Sequence, residues 1–244
     1  MGLCIAVTGA GSGLGRALAR RLASDGDTII LLGRTRAKLD AVAAELGEPS
    51  YGVVCDVASA DSVRTAFAEI AERHPKIDVL INNAAVYQPS FVKDATDAQI
   101  ETAVMTNFAG AIYCSRAVIP MMQRGGHIIN ISSETVGLPH AMFSLYQSSK
   151  AGLERFTDAL HAELEPDGVR VTMVRAGQMM DADSSAPADG EVARRFAEEN
   201  LKRGLDFRAR PISSFSSVAD VVGMLIRLPD DLNVPQIILE ARHP

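Results

Sequence analysis

The stretch Thr8-Gly9-Ala10-Gly11-Ser12-Gly13-Leu14-Gly15 follows the apolar run at residues 3–8 and leads straight into a helix-period segment at 14–24. Glycines at a strand-to-helix junction let the backbone turn tightly and approach a pyrophosphate, whose charge then meets the free N–H groups of the helix N-terminus. The spacing G-x-G-x-x-G does not fit, because Leu14 or Arg16 falls at the third glycine; T-G-x-x-x-G-x-G does. We read Gly9, Gly11, Ser12, Gly13, Leu14 and Gly15 as a nucleotide-binding loop. The alternative is a turn that serves packing alone.

Outward from this loop, short runs rich in Ile, Val and Leu recur at 3–8, 28–32, 51–55, 78–82, 127–132, 169–175 and 236–239. Between them lie helix-period segments at 14–24, 36–46, 60–73, 98–122, 145–163, 191–202 and 217–227. Near-continuous apolar runs are typical of strands buried on both faces, and alternation with helices makes βαβ units. The expectation is an α/β, doubly wound, Rossmann-like parallel sheet with helices on both faces. No repeat or Pro/Gly-rich linker divides the 244 residues, so one domain is expected, spanning 1–244. Thr96-Asp97 should open one helix, and Pro166 with Gly168 should close another.

Composition narrows the function. With 24 Lys+Arg against 30 Asp+Glu the net charge is -6, the wrong sign for a chain built to neutralise nucleic-acid phosphates or coat an anionic membrane. No apolar window reaches a bilayer-spanning length, and the N-terminal residues lack signal-peptide and myristoylation patterns. Cys4, Cys55 and Cys114 form no C-x-x-C pair and sit in apolar stretches, so buried core thiols are expected rather than a disulfide or metal site. A reducing cytoplasm is the expected compartment.

About twenty residues past the glycines, where a carboxylate would hold the ribose 2′-OH of NAD, the second strand ends in Gly33-Arg34-Thr35. A guanidinium pairs with a 2′-phosphate that a carboxylate would repel, so Arg34, with Thr35, favours NADP(H) over NAD(H). Asp56-Val57 after the third strand is placed to meet the adenine amino group, and Asn83-Ala84 after the fourth lets a cofactor lie close to backbone. A helix cap and a turn explain the same residues.

Ser133, Tyr146 and Lys150 carry the chemistry. Tyr146 and Lys150, at i and i+4, share one helix face. A phenol with a pKa near 10 is a poor base at neutral pH, and a neighbouring ammonium should lower that pKa. Ser133, thirteen residues upstream at the end of the fifth strand, can hydrogen-bond a carbonyl or carbinol oxygen.

With these residues in place the chain resembles the short-chain dehydrogenase/reductase family over nearly its whole length, through Thr8 to Gly15, Asp56, Asn82-Asn83-Ala84, Asn107, Ser133 and Tyr146-x-x-x-Lys150. The resemblance implies a seven-stranded parallel sheet and hydride transfer between nicotinamide C4 and a carbonyl or alcohol carbon. It makes Tyr146 the acid or base, Ser133 the group orienting the substrate oxygen, and Lys150 both the modulator of the tyrosine and a grip on the nicotinamide ribose. It gives Asn107 a water-mediated relay to Lys150. It counts Gly177 and Met179 with the cofactor site and implies a homodimer or homotetramer. The sequence departs from the family at Ala85, where glycine is usual, at Ala176 before Gly177, and at Asp181, where a threonine often meets the carboxamide.

The irregular stretch 176–215 is a candidate substrate lid, and His140, Met142, Phe143, Gln147, Met179 and Met180 suggest an adaptable apolar cavity. His140 is expected on the rim and His127 as a satisfied structural residue. Arg194, Arg195, Lys202, Arg203, Arg208 and Arg210 alternate with acids, which points to a solvated face. The reading is an oxidoreductase acting on a small carbonyl or alcohol substrate, with no metal, nucleic acid or membrane partner. A nucleotide-sensing protein with little turnover, and a dehydratase or epimerase on the same scaffold, are the alternatives.

Overall fold

In the computed structural model, which describes residues 2–181, 190–206 and 209–242, seven strands form one sheet. They are β1 (Cys4–Thr8), β2 (Thr28–Gly33), β3 (Tyr51–Val54), β4 (Val79–Asn82), β5 (His127–Ser133), β6 (Arg170–Ala176) and β7 (Gln236–Leu239). The order is β3-β2-β1-β4-β5-β6-β7, and every adjacent pair is parallel. The expected doubly wound sheet is therefore present, and its strand order reverses between β1 and β4.

The helices are α1 (Gly13–Ser24), α2 (Arg36–Leu46), α3 (Ala60–Arg73), α4 (Asp97–Val104), α5 (Gly110–Val118), α6 (Ser144–Leu164), α7 (Gly190–Leu201) and α8 (Phe215–Ile226). Alternation along the inner strands feeds two cores. Ile5, Val7, Ile29, Leu31, Val79 and Ile81 face a layer containing Leu18 of α1 and Val222 of α8. Ala6, Ile30, Leu32 and Leu80 face Phe67 of α3, Cys114 of α5 and Leu160 of α6. Apolar side chains on both faces make the strand runs continuous in sequence.

One expected helix is broken. The stretch read as 98–122 is α4, then a π-helical turn at Met105–Ala109, then α5 and a 3-10 turn at Ile119–Met121. Thr96 opens α4 with a capping box to Gln99. The wide turn lets buried Asn107 take a partner outside the helix, and Gly110 follows because an added Cβ would lie 2.9 Å from Val57 Cγ2. π-turns are concentrated at functional sites.

Two smaller expectations need correction. Cys55 and Cys114 are buried, but Cys4 at the start of β1 is only partly so. His127 bonds Thr172 Oγ1 through Nε2 at 2.8 Å while its buried Nδ1 has no partner among the described residues, so it is half satisfied. Burial pulls its pKa down to about 3.

Candidate active site

Where the strand order reverses, the carboxyl ends of β1 and β4 leave a crevice, the ordinary ligand position in such sheets. Thr8 ties the two ends together: its hydroxyl donates to Ile81 O and accepts from the N–H groups of Asn83 (2.9 Å) and Ala84 (3.0 Å). Asn83 Nδ2 donates to Thr8 O at 2.9 Å, so this side chain braces the crevice. Below, Asn82 donates to Asn130 Oδ1 (2.8 Å) and Asn130 to Thr157 Oγ1 (2.9 Å), a buried polar ladder that the sequence reading missed.

The glycine loop fits a bound dinucleotide. Gly9 (φ 68°) and Gly13 (φ 51°) occupy the left-handed region, where side chains are strained. A Cβ on Gly9 would lie 3.0 Å from Ala84 Cα, and one on Gly15 would lie 2.2 Å from Gly9 O. Ser12 makes no side-chain capping bond and the first turn of α1 carries no acid, so Gly13, Leu14 and Gly15 start a helix with neither a capping side chain nor a repelling charge.

Around the crevice, Asp56 Oδ1 accepts from Ala58 N at 3.1 Å, and Val57 is buried against Gly110. Arg34 and Thr35 are exposed at the end of β2, and among the described residues Arg34 has no ion pair, whereas neighbouring Arg36 donates to Gly52 O. Ala85, a departure from the family pattern, is exposed. Ala176 is buried, and Gly177 N donates to Leu239 O at 2.9 Å. Met179 bridges to Ser213. Asp181 Oδ1 accepts from Phe215 N at 3.2 Å, at the first residue of α8.

Ser133, Tyr146 and Lys150 converge where β5 meets α6. Ser133 Oγ accepts from Thr135 N (3.3 Å) and Thr135 Oγ1 (3.1 Å), and Ser133 is near enough to the Tyr146 hydroxyl to favour its ionised form. Lys150 is 2 % exposed, and its Nζ donates to Ile131 O at 2.7 Å. The ammonium stands 5.9 Å from the centroid of the Tyr146 ring. Asn107 Oδ1 accepts from Val86 N (2.7 Å), while its Nδ2 donates to Val86 O (2.8 Å) and Ser149 Oγ (3.1 Å). Asn107 thus locks the chain after β4 against α6, one residue from Lys150.

The expected depression of the tyrosine pKa is not what this geometry gives. Burial pushes Tyr146 up to about 12, opposed by Ser133 and reinforced by Tyr87. Burial pulls Lys150 down to about 8, opposed by Glu154. The ammonium is spent on a backbone carbonyl. At neutral pH the phenol keeps its proton and the lysine most of its charge.

Over this trio, Tyr87 and Phe143 meet the Tyr146 ring at 6.1 and 5.5 Å, and Phe196 of α7 packs on Phe143 at 4.4 Å. Met142 is buried with φ 63°, a strained conformation for a side-chain-bearing residue, and Gln147 donates its amide to the Thr135 and Leu138 carbonyls. Met180 is largely exposed. His140 is buried rather than on the rim, and desolvation lowers its pKa. Buried Asn200 of α7 accepts from Ala141 N at 2.9 Å and donates to Ala141 O at 3.3 Å.

The basic run is only partly a solvated face. Arg194 pairs with Glu198, and Lys202 and Arg203 with Glu199, all near solvent. Arg195 instead lies over Phe91 (5.1 Å) and 3.6 Å from Asp94, and Arg210 pairs with Glu134 at 2.6 Å in a largely buried contact. Arg208 and residues 182–189 of the expected lid lie outside the described residues.

Residues 3–189 match the short chain dehydrogenase family, more than half of the chain. The chain belongs to the short-chain dehydrogenase/reductase family. It is therefore a pyridine-nucleotide-dependent dehydrogenase. A serine 3-dehydrogenase of Agrobacterium fabrum is 30% identical over 236 residues, covering 94% of this chain and 90% of that protein. An NADP-dependent 3-hydroxy acid dehydrogenase of Salmonella typhimurium is 31% identical over 237 residues, covering 95% and 92%. A Burkholderia cenocepacia short chain dehydrogenase solved in complex with NADP superposes with a TM-score of 0.83 at 28% identity, covering 98% and 97% of the two chains.

Proposed function

We propose that this dehydrogenase interconverts a carbonyl compound and an alcohol with NADP(H), Tyr146 giving and taking the proton. The observation that carries the proposal is the convergence of Ser133, at the carboxyl end of β5, with Tyr146 and a buried Lys150 whose ammonium stands 5.9 Å from the Tyr146 ring. Ser133 accepts both of its contacts from Thr135, so its own hydrogen is left for a substrate oxygen, which the phenol hydrogen of Tyr146 would meet as well. A nicotinamide cofactor supplies the hydride.

The pKa directions favour carbonyl reduction as the direction in which Tyr146 acts unaided. A phenol held protonated by burial is ready to donate as negative charge grows on the substrate oxygen, and a charged Lys150 nearby offsets the phenolate that remains. Asn107 holds the Lys150 turn in place through Ser149.

For the cofactor, Gly9 to Gly15 would hold the pyrophosphate, Asp56 and Val57 the adenine, and Asn83, Ala84, Gly177 and Met179 would border the nicotinamide half, with Tyr146 and Lys150 at its ribose. Arg34 and Thr35 would meet the 2′-phosphate, which supports NADP(H) over NAD(H). The NADP named with two of the relatives fits that assignment. The segment over the site, docked through Phe196 and Asn200, would act as a substrate lid. Ile100 and Val104, exposed on α4, give apolar surface for self-association.

An NADPH-oxidation screen across carbonyl classes, with 3-oxo acids among them and NADH run in parallel, tests the proposal. Turnover that prefers NADPH supports it; cofactor binding with no turnover on any class would favour a nucleotide-sensing role.

A further inference from the structure

Tyr146, Lys150 and Glu154 are spaced four residues apart on α6 and so share one face of the helix. The third of them is held from the sheet. Ser132 Oγ donates to Glu154 Oε1 at 2.6 Å, Arg175 Nε donates to the same oxygen at 3.0 Å, and Arg175 Nη2 donates to Oε2 at 2.6 Å. Ser132 and Arg175 are register partners on β5 and β6, so two adjacent strands present three donors to one carboxylate. The side chains are 13 % (Glu154) and 22 % (Arg175) exposed, which leaves the pair partly shielded from solvent screening.

An ordinary surface i,i+4 pair would let the glutamate swing onto the lysine. Here Glu154 is held toward the sheet by Ser132 and Arg175 while Lys150 Nζ donates to Ile131 O; among the described residues the two form no direct ion pair, and the carboxylate acts on the ammonium through space. We infer that Glu154 is a positioning residue that keeps Lys150 charged at the working pH, and that Arg175 sets how much of the Glu154 charge the lysine feels. The inference rests on the proton-transfer reading above for its consequence in catalysis.

The surroundings leave few competing charges. On α6 the titratable neighbours are Tyr146 and Glu154; β5 contributes only neutral Ile131, Ser132 and Ser133; β6 contributes Arg175. The π-turn presents neutral Asn107, Tyr87 faces Tyr146, and Glu134 after β5 is paired with Arg210. Among the described residues, Glu154 is the carboxylate that raises the lysine pKa against burial.

Two substitutions should move Lys150 in opposite directions. Glu154→Gln removes the attraction, so the lysine should lose its proton at lower pH; Arg175→Met leaves Glu154 uncompensated, so the lysine should keep its proton to higher pH. Each shift should be about one pH unit. The first readout is trace acetylation of Lys150 by acetic anhydride at graded pH in the full chain without cofactor, followed by peptide mass spectrometry. The second is the alkaline limb of kcat/KM with NADPH and the best carbonyl substrate.

Opposite shifts in the labelling midpoint support the inference. Shifts in the same direction, or none, overturn it, because loss of packing alone predicts no such sign reversal. If Glu154→Gln does not fold, Arg175→Met decides alone: an upward midpoint supports the inference and an unmoved or lower one overturns it. Opposite labelling shifts without any movement of the kcat/KM limb would sustain the control of Lys150 and count against the proton-transfer reading instead.

Discussion

The same substitution, glycine to alanine, should have opposite effects in α1 and α6. In a helix interior it gains up to about 1 kcal/mol from propensity. At Gly152, midway along α6, the nearest atoms to an added Cβ are Phe108 ring carbons at 3.5 Å, an ordinary contact, so that gain should be realised. At Gly15, in the first turn of α1, the Cβ would lie 2.2 Å from Gly9 O and 2.7 Å from Asn83 Nδ2. The first of these is backbone, and the second is the group that braces Thr8, so neither can yield without moving the glycine loop. Overpacking of this kind costs about 1–3 kcal/mol, which outweighs the propensity gain. At about 2–4 °C per kcal/mol for a chain of this size, Gly152→Ala should raise Tm by up to about 4 °C and Gly15→Ala should lower it by up to about 8 °C. Differential scanning calorimetry reads both, and NADPH fluorescence titration should show weakened binding for Gly15→Ala alone. A Gly15→Ala protein that melts higher than the parent, or binds NADPH as tightly, would refute the close approach of loop and strand.

Three further outcomes follow from single side chains. Arg34→Asp should shift the ratio of kcat/KM for NADPH over NADH toward NADH; an unchanged ratio would remove Arg34 as the discriminator. His127 has a folded pKa of about 3, below its ordinary value of 6.5, so the unfolded chain takes up a proton that the folded chain refuses. Its contribution to stability is present above pH 6.5 and is lost as pH falls toward 3, by at most about 1.4 kcal/mol per pH unit. His127→Asn should therefore flatten the fall of Tm between pH 6.5 and 4 relative to the parent. Asn200→Ala should leave the Ala141 N–H and C=O without their partners, a loss of about 1–3 kcal/mol in the docking of α7. Faster hydrogen exchange in α7 and a higher KM would report it, and unchanged exchange would separate α7 from the substrate site.

The sheet was legible because its inner strands are buried on both faces, so runs such as Thr28–Gly33 carry their own signal. The Gly9–Gly15 loop was legible because its chemistry is local to one junction. What the sequence hid depends on partners far along the chain. The break between α4 and α5 comes from Asn107 bonding Val86, which no helical period encodes. Asp181 looked misplaced beside a carboxamide because its partner, Phe215 N, lies on another element. Nothing in the sequence marks Glu154, since the register of Ser132 with Arg175 that clamps it exists only in the sheet. The spacing of Tyr146 and Lys150 placed them together correctly, but spacing does not say where an ammonium points. It points at Ile131 O, and burial therefore decides the tyrosine pKa.

Proton donation by Tyr146 is most directly tested by Tyr146→Phe in single-turnover NADPH oxidation with a carbonyl substrate taken from the screen. The hydroxyl alone is removed, and the ring keeps its contacts with Tyr87 and Phe143. The rate should fall by about 10²–10⁴-fold, while the affinity for NADPH stays as it was. Reduction at the parental rate by the phenylalanine variant would contradict the assignment of the acid.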